Sequence, residues 1–255
     1  MLDPGDQDQR FISSAIFIVA RLAVLSLVVL LLRTFYLFHS IRNVRHMKQP
    51  QSLSSPSFFA AAESPSFKAK PLKTLVVLGS GGHTTEMLHL IRNLDPKLYS
   101  PIVLVVATTD TTSLRRVQAY PHSLPFDRER MTTYQIPRSR EVGQSYWTSI
   151  LTTLYSFWFA FWLVGFKVRP DLVLVNGPGT CLPIAVSAFF FRLVGWKPSK
   201  IIFIESFCRV TSLSLTGKLL YPVADLFVVC WDRLQEKYPL THLVTTFVPR
   251  SNKNG

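Results

Sequence analysis

From Lys73 onward, short apolar runs alternate with stretches of helical spacing, and this alternation constrains the fold more than any other feature of the chain. The strand-like runs are Thr74–Leu78, 102–106, 132–136, 172–175, 201–204 and 226–229, and 84–94 and 181–194 read as helices between them. A parallel strand is covered on both faces, so it reads as a continuous apolar run rather than an alternating one. Strands of that kind separated by helices predict an α/β, Rossmann-like, doubly wound parallel sheet, here assigned to residues 72–239. Ligands of such sheets bind beyond the carboxyl ends of the strands. The residues just after each run are therefore where chemistry is expected.

Ahead of the sheet lies an almost wholly apolar run, 11–32. A helix of ~20 residues crosses the hydrocarbon core of a bilayer, and a transmembrane helix is assigned to 11–35. Arg21 inside it costs ~2.5–3.5 kcal/mol on insertion scales, which the flanking Leu, Val and Ile residues offset. A cleaved signal peptide is the competing reading, but the run is long for one and no clear small-residue cleavage site follows. Asp3, Asp6 and Asp8 precede the span, and Arg33, Arg42, Arg45 and Lys48 follow it. The positive-inside rule then makes 1–10 a lumenal tail and places everything after the span in the cytosol. Residues 36–71 are expected to be a linker, Ser-, Pro-, Ala- and Phe-rich from 49 onward.

The formal charge is +13, from 28 basic and 15 acidic side chains, and 48% of the residues are hydrophobic. The charge suits an anionic partner, and the apolar surplus points to a membrane rather than a nucleic acid. No basic run is interleaved with stacking aromatics as single-strand binders require. Cys181, Cys208 and Cys230 are odd in number and widely spaced, which is neither a disulfide framework nor a zinc site, and all three are expected to be reduced and buried. The segment 146–166 has no charged residue and would pass for a second span. A single further crossing would part the strands on either side of it, so a helix that lies in the membrane interface or packs under the sheet is expected, with Trp147, Trp158 and Trp162 suited to an interface.

Three loops follow strand ends. The first is Gly79-Ser80-Gly81-Gly82-His83-Thr84. Its glycines let a ligand approach the backbone, and the helix behind offers free N–H groups to a phosphate, with Thr84 or Thr85 as its cap. It is not a dinucleotide fingerprint. The third glycine of G-x-G-x-x-G is replaced by Thr84, Asp110 is poorly placed for the acidic residue ~20 positions on, and no Walker lysine is present. A tethered NAD oxidoreductase is correspondingly disfavoured. His83 is suited to proton transfer or to bonding a diphosphate, or else to bracing the loop. The second loop is Asn176-Gly177-Pro178-Gly179-Thr180, a stiff turn that exposes amides or is purely structural. The third is Glu205-Ser206 with Arg209. Here Glu205 either accepts a hydroxyl proton or binds a sugar hydroxyl, or pairs with Arg209. Arg128, Arg130, Arg138 and Arg140 form a basic cluster that meets phosphates or is a solvated loop. Asp6-Gln7-Asp8 is the only D-x-D, and no metal or other cofactor is indicated.

These loops, together with Phe203-Ile204-Glu205-Ser206-Phe207-Cys208-Arg209-Val210, Ser214-Leu215-Thr216-Gly217-Lys218 and the segment from Trp231 to Pro239, come in a distinctive order. From about Leu72 to Pro239 the chain resembles the membrane-anchor subunits of the UDP-N-acetylglucosamine transferase of asparagine-linked glycosylation. The resemblance implies the N-terminal, acceptor-binding half of a GT-B glycosyltransferase, similar to the bacterial enzyme that makes lipid II. It implies a separate soluble subunit that binds UDP-GlcNAc, in a heterodimer or larger complex. Together the two would add the second GlcNAc to GlcNAc-diphosphate-dolichol on the cytosolic face of the endoplasmic reticulum membrane. His83 and Glu205 would be catalytic. Gly79, Ser80, Gly81, Gly82, Thr84, Asn176, Gly177, Pro178, Gly179, Thr180, Ser206 and Arg209 would bind substrate. A non-catalytic scaffold that recruits a soluble enzyme is the alternative. Room for one Rossmann-like domain after Lys73, not two, agrees with a half-enzyme. Two departures stand out: Cys230 replaces an expected glutamine, and 240–255 differs from the short apolar tail by which the family docks its partner.

Overall fold

The computed structural model describes residues 4–47, 70–119, 131–139, 143–177 and 179–244. The chain divides into two compact units, residues 1–40 and 41–255. The first is helical throughout its described part and belongs to α1 (Pro4–Met47). Its side chains from Ile16 to Arg33 are exposed although most are apolar. The stretch Ile16–His46 is long and apolar enough to cross a membrane. The helix does not stop near residue 35. It continues to Met47, through the first part of the stretch expected to be linker. Its last turns belong to the second unit, where Ile41 is buried and Arg45 donates to the carbonyl of Ala224 and lies over the ring of Tyr221.

The second unit is built on a seven-stranded, wholly parallel sheet. Its elements are β1 (Thr74–Leu78), α2 (Gly82–Arg92), β2 (Ile102–Ala107), α3 (Thr111–Ala119), β3 (Met131–Ile136), α4 (Tyr146–Trp162), β4 (Leu172–Asn176), α5 (Cys181–Leu193), β5 (Lys200–Ile204), α6 (Leu215–Leu220), β6 (Leu226–Val229), α7 (Asp232–Lys237) and β7 (His242–Leu243). The strand order is β3-β2-β1-β4-β5-β6-β7. The order reverses between β1 and β4, which pair from Thr74↔Leu172 to Val76↔Leu174.

The period-2 alternation of strand side chains sorts these runs onto two cores. Leu75, Val77, Val103, Val105, Val173 and Val175 face α4, α5 and α6. Val76, Leu78, Leu104, Val106 and Leu174 face Met87, Leu88 and Ile91 of α2. Every residue of β1, β2 and β4 is buried. Strand β3, at the sheet edge, is mostly half-buried or exposed, which matches its Thr and Gln content.

Helix α4 starts where Ser145 accepts from the backbone N–H of Thr148, and it runs on as a π-helical turn over Leu163–Val168. Trp147–Val168 is again long and apolar enough to cross a membrane. It nevertheless joins β3 to β4 of one sheet, and a single crossing would separate those strands. Ala160, Leu163, Val164 and Val168 face the core. Trp147 is 82% exposed, Trp158 72% and Leu151 71%. The turn closes on the core through Gly165, where a Cβ would collide with the ring of Phe191.

At the other end of the sheet from the loops of interest, Arg192 donates to both oxygens of Asp225 at 2.8 and 2.9 Å. Asp225 also accepts from Lys200 Nζ and the Ile201 amide. Arg192 and Asp225 are buried and paired, as a buried charge must be, while the Lys200 side chain reaches them from the surface.

Candidate functional site

The carboxyl ends of β1 and β4 flank the point where strand order reverses, which is where a doubly wound sheet opens a crevice. The chain leaves β1 through Gly79, which is buried, and Ser80, which is exposed. It turns at Gly81 with φ +68, a left-handed conformation that glycine adopts without a Cβ penalty. Helix α2 begins immediately afterwards.

The start of α2 has no side-chain cap. Neither threonine caps it. Thr84 is fully buried and its hydroxyl bonds the Gly79 carbonyl and Ser113 Oγ. Ser113 in turn bonds Asp110 Oδ2 at 2.6 Å. Asp110 and Ser113 thus form a buried brace beneath the loop, which the sequence reading missed. Thr85 Oγ1 accepts from Arg116 Nη1, which also donates to the Gly81 carbonyl, each at 2.7 Å. Arg138 Nη2 donates to Ser80 Oγ at 2.9 Å. The first-turn amides of α2 therefore emerge between two guanidinium groups, a setting that favours a phosphate through N–H donation, helix dipole and charge together. Arg138 is the member of the basic cluster placed at the site. Arg128, Arg130 and Arg140 lie outside the described residues.

The β4 loop meets the β1 loop at His83. Asn176 is buried, and its Nδ2 donates to the His83 carbonyl at 2.8 Å. Gly177 has φ +63, and a Cβ there would lie 2.5 Å from His83 Cε1. The imidazole sits where a side chain at this position would collide with it. Pro178 lies outside the described residues. Gly179 is exposed, and Thr180 is buried at the start of α5 without a side-chain capping bond.

The third loop closes the crevice from β5. Glu205 is 1% exposed, and its Oε2 accepts from the Ser214 amide at 2.9 Å and hydroxyl at 3.1 Å. Its Oε1 accepts from the Ser206 amide at 3.2 Å. Ser214 caps α6 through the Gly217 amide, and Gly217 has no room for a Cβ beside Glu205 Oε2. The carboxylate therefore latches the segment from Ser206 to Gly217. Arg209 is exposed, and among the described residues it makes no ion pair with Glu205.

One residue that the sequence reading passed over sits among these loops. Glu86 Oε2 lies 3.6 Å from His83 Nδ1, and its Oε1 accepts from Ser206 Oγ at 3.1 Å. Burial works against its ionisation, but the contacts with His83, Ser206 and the Phe207 amide outweigh burial and hold the carboxyl below its usual range. The i,i+3 spacing from His83 was the available signal. Glu86, Asn176 and Glu205 line a small cleft with Met87, Ile204, Phe207 and Cys230. An apolar groove of about 220 Å³ continues from it past Leu90, Leu174, Ile202, Ile204 and Val228 to Val244.

The cysteines are not alike. Cys181 and Cys230 are buried, whereas Cys208 is exposed, contrary to expectation, because it lies in the irregular turn after Ser206. Burial, with Glu86 and Glu205 adding to it, pushes the Cys230 thiol up to about 11, and burial pushes Cys181 up to about 12. Neither supplies a thiolate near neutral pH.

Residues 74–247 match the family model "Oligosaccharide biosynthesis protein Alg14 like". Relatives bear the name "UDP-N-acetylglucosamine transferase subunit ALG14". The Mus musculus protein is 47% identical over 174 residues, covering 66% of this chain and 79% of the relative. The Homo sapiens protein is also 47% identical over 174 residues, with the same coverage. The Candida albicans protein is 45% identical over 166 residues, covering 64% of this chain and 72% of the relative. The match spans the sheet and all three loops at its crevice, and the chain belongs to the Alg14-like family of oligosaccharide biosynthesis proteins.

Proposed function

We propose that this chain is the membrane-anchored, acceptor-binding subunit of a UDP-GlcNAc-dependent glycosyltransferase of N-glycosylation. In this reading it adds the second GlcNAc to GlcNAc-diphosphate-dolichol, working with a soluble subunit that binds the nucleotide sugar. The observation that carries the reading is the uncapped start of α2 between Arg116 and Arg138, with His83 held beside it against Gly177. Amides and guanidinium groups meet the acceptor diphosphate. The attached sugar then extends toward His83.

In the reaction the acceptor hydroxyl attacks the anomeric carbon of the donor sugar. The new C–O bond forms as the bond to UDP breaks, UDP leaves with the electron pair, and His83 takes the hydroxyl proton. Glu205 keeps the loop that carries Ser206 in place. The donor is enclosed by the second subunit, since one sheet offers only one wall of such a cleft. α1 spans the endoplasmic reticulum membrane with its N-terminus lumenal, and the sheet faces the cytosol. The exposed aromatic face of α4 rests on the same lipid surface.

The test is transfer of labelled GlcNAc from UDP-GlcNAc to a dolichol-diphosphate acceptor by membranes that carry this chain and the soluble subunit. His83→Ala is expected to lower transfer by about 10²–10⁴-fold, the usual contribution of a positioned acid–base group, without loss of folded protein. Normal transfer by the variant removes His83 from the mechanism. Tolerance of the whole glycine loop to substitution would make the chain a scaffold instead.

A further inference from the structure

We propose that Glu86 is the positioning residue for His83: it fixes the imidazole with its proton on Nδ1, so that Nε2 is the atom that takes the acceptor proton. The proposal rests on His83 being the proton acceptor.

The geometry narrows the choice to this residue. His83 Nδ1 is shut off from solvent and has no hydrogen-bond partner at normal distance among the described residues, while the side chain remains 31% exposed. Its nearest charged neighbour is Glu86 Oε2 at 3.6 Å, one helical turn along α2. A separation slightly beyond hydrogen-bond length is common where substrate has not yet closed a site. The other carboxylate in the cleft, Glu205, has both oxygens engaged by Ser206 and Ser214. Glu86 is itself oriented, since Oε1 is fixed by the Ser206 hydroxyl and Oε2 is left toward the ring. Gly177 lies close against the imidazole, where a Cβ would stand 2.5 Å from Cε1. A nucleophile's base oriented by a third group is the general arrangement of acid–base sites.

Tautomer chemistry makes the idea testable. A carboxylate at Nδ1 accepts a hydrogen bond from Nδ1–H and so leaves the lone pair on Nε2. Glu86→Gln keeps the size and can still accept from Ser206, but then presents an N–H to Nδ1. That interaction favours the tautomer with its proton on Nε2, which cannot act as base. In a serine protease triad the matching Asp→Asn change costs ~10⁴-fold in kcat with geometry intact.

The experiment compares wild type, Glu86→Gln, Ser206→Ala and His83→Ala in the assembled complex. It measures kcat and KM for the lipid-linked acceptor, together with ¹⁵N-histidine NMR of the detergent-solubilised complex. Glu86→Gln is expected to lower kcat by about 10²–10⁴-fold, with KM within about twofold. The His83 proton should move from Nδ1 to Nε2. Ser206→Ala removes the hydroxyl that orients Glu86 and that also accepts from the Cys208 amide, and should lower kcat several-fold in the same direction. A Glu86→Gln complex that turns over at the wild-type rate, or keeps the wild-type tautomer, overturns the proposal while a failing His83→Ala leaves the role of His83 intact. Normal turnover by His83→Ala overturns the underlying reading instead. If Glu86→Gln does not assemble, Ser206→Ala decides: loss of kcat at unchanged KM supports positioning, and a wild-type kcat overturns it.

Discussion

Gly177 and His83 show how one missing side chain sets a site. At φ +63 a non-glycine residue is strained by about 1–3 kcal/mol, and a Cβ would also displace the ring it touches. Gly177→Ala is therefore expected to lower transfer by more than tenfold and to lower the melting temperature by a few degrees. Both are read on the same purified complex, and a variant that melts early but transfers normally would show that the imidazole contact is incidental. Asp171 gives a pH-dependent counterpart away from the crevice. Burial opposes its charge, but the bonds from Lys197 and the Lys73 amide prevail and hold the carboxyl below its usual range. Its stabilising contribution is thus complete above the unfolded value of ~3.9 and is lost as pH falls through the lower folded value. Melting curves of Asp171→Asn between about pH 5 and 3 should fall less steeply with acid than those of the wild type. Among the site residues, the glycine loop, His83 and Asn176 were legible because strand ends and glycines mark them. Glu86 and Ser113 were not, because Ser206 and Gly79, which place them in the site, are distant in the chain; Asp110 was not, because it enters only through Ser113.

At the scale of elements, apolar runs made β1, β2 and β4 readable nearly to the residue, since burial on both faces leaves no polar interruption; β5 and β6 are marked by apolar content alone, with Lys200 exposed and Ile202, Ile204 and Leu226 half-buried. β7 is two residues long and leaves no pattern, and it lies in the stretch assigned to the tail. α6 and α7, at six residues each, are too short to show helical period. α1 outruns its apolar part because Arg42 and Arg45 are helix formers, and Arg45 finds its partners on Tyr221 and Ala224. α4 carries a charge-free face with Trp147, Leu151, Leu154, Trp158 and Trp162 exposed, and Lys167 and Arg169 at its exit. Aromatic rings with flanking cations match a bilayer interface. Residues 41–255 expressed without the span should still sediment with phospholipid vesicles, and Leu151→Asp with Trp158→Asp should release them. A 41–255 chain that stays soluble beside vesicles contradicts this role for α4.

At the scale of the whole molecule, the chain is an apolar helix plus one doubly wound sheet whose loops gather on one edge. The charge of +13 includes Arg116 and Arg138 at the start of α2, and in the proposed reading the basic residues after the apolar helix set its orientation. The crevice has a floor and one wall. The apolar groove that leaves it is lined in part by Val244, within the divergent stretch 240–255. The measurement that tests the half-enzyme most directly is transfer of labelled GlcNAc to GlcNAc-diphosphate-dolichol by the purified full-length chain, with and without the soluble UDP-GlcNAc-binding subunit. No transfer by either protein alone and restored transfer on mixing is the predicted result. Transfer by this chain unaided would contradict it.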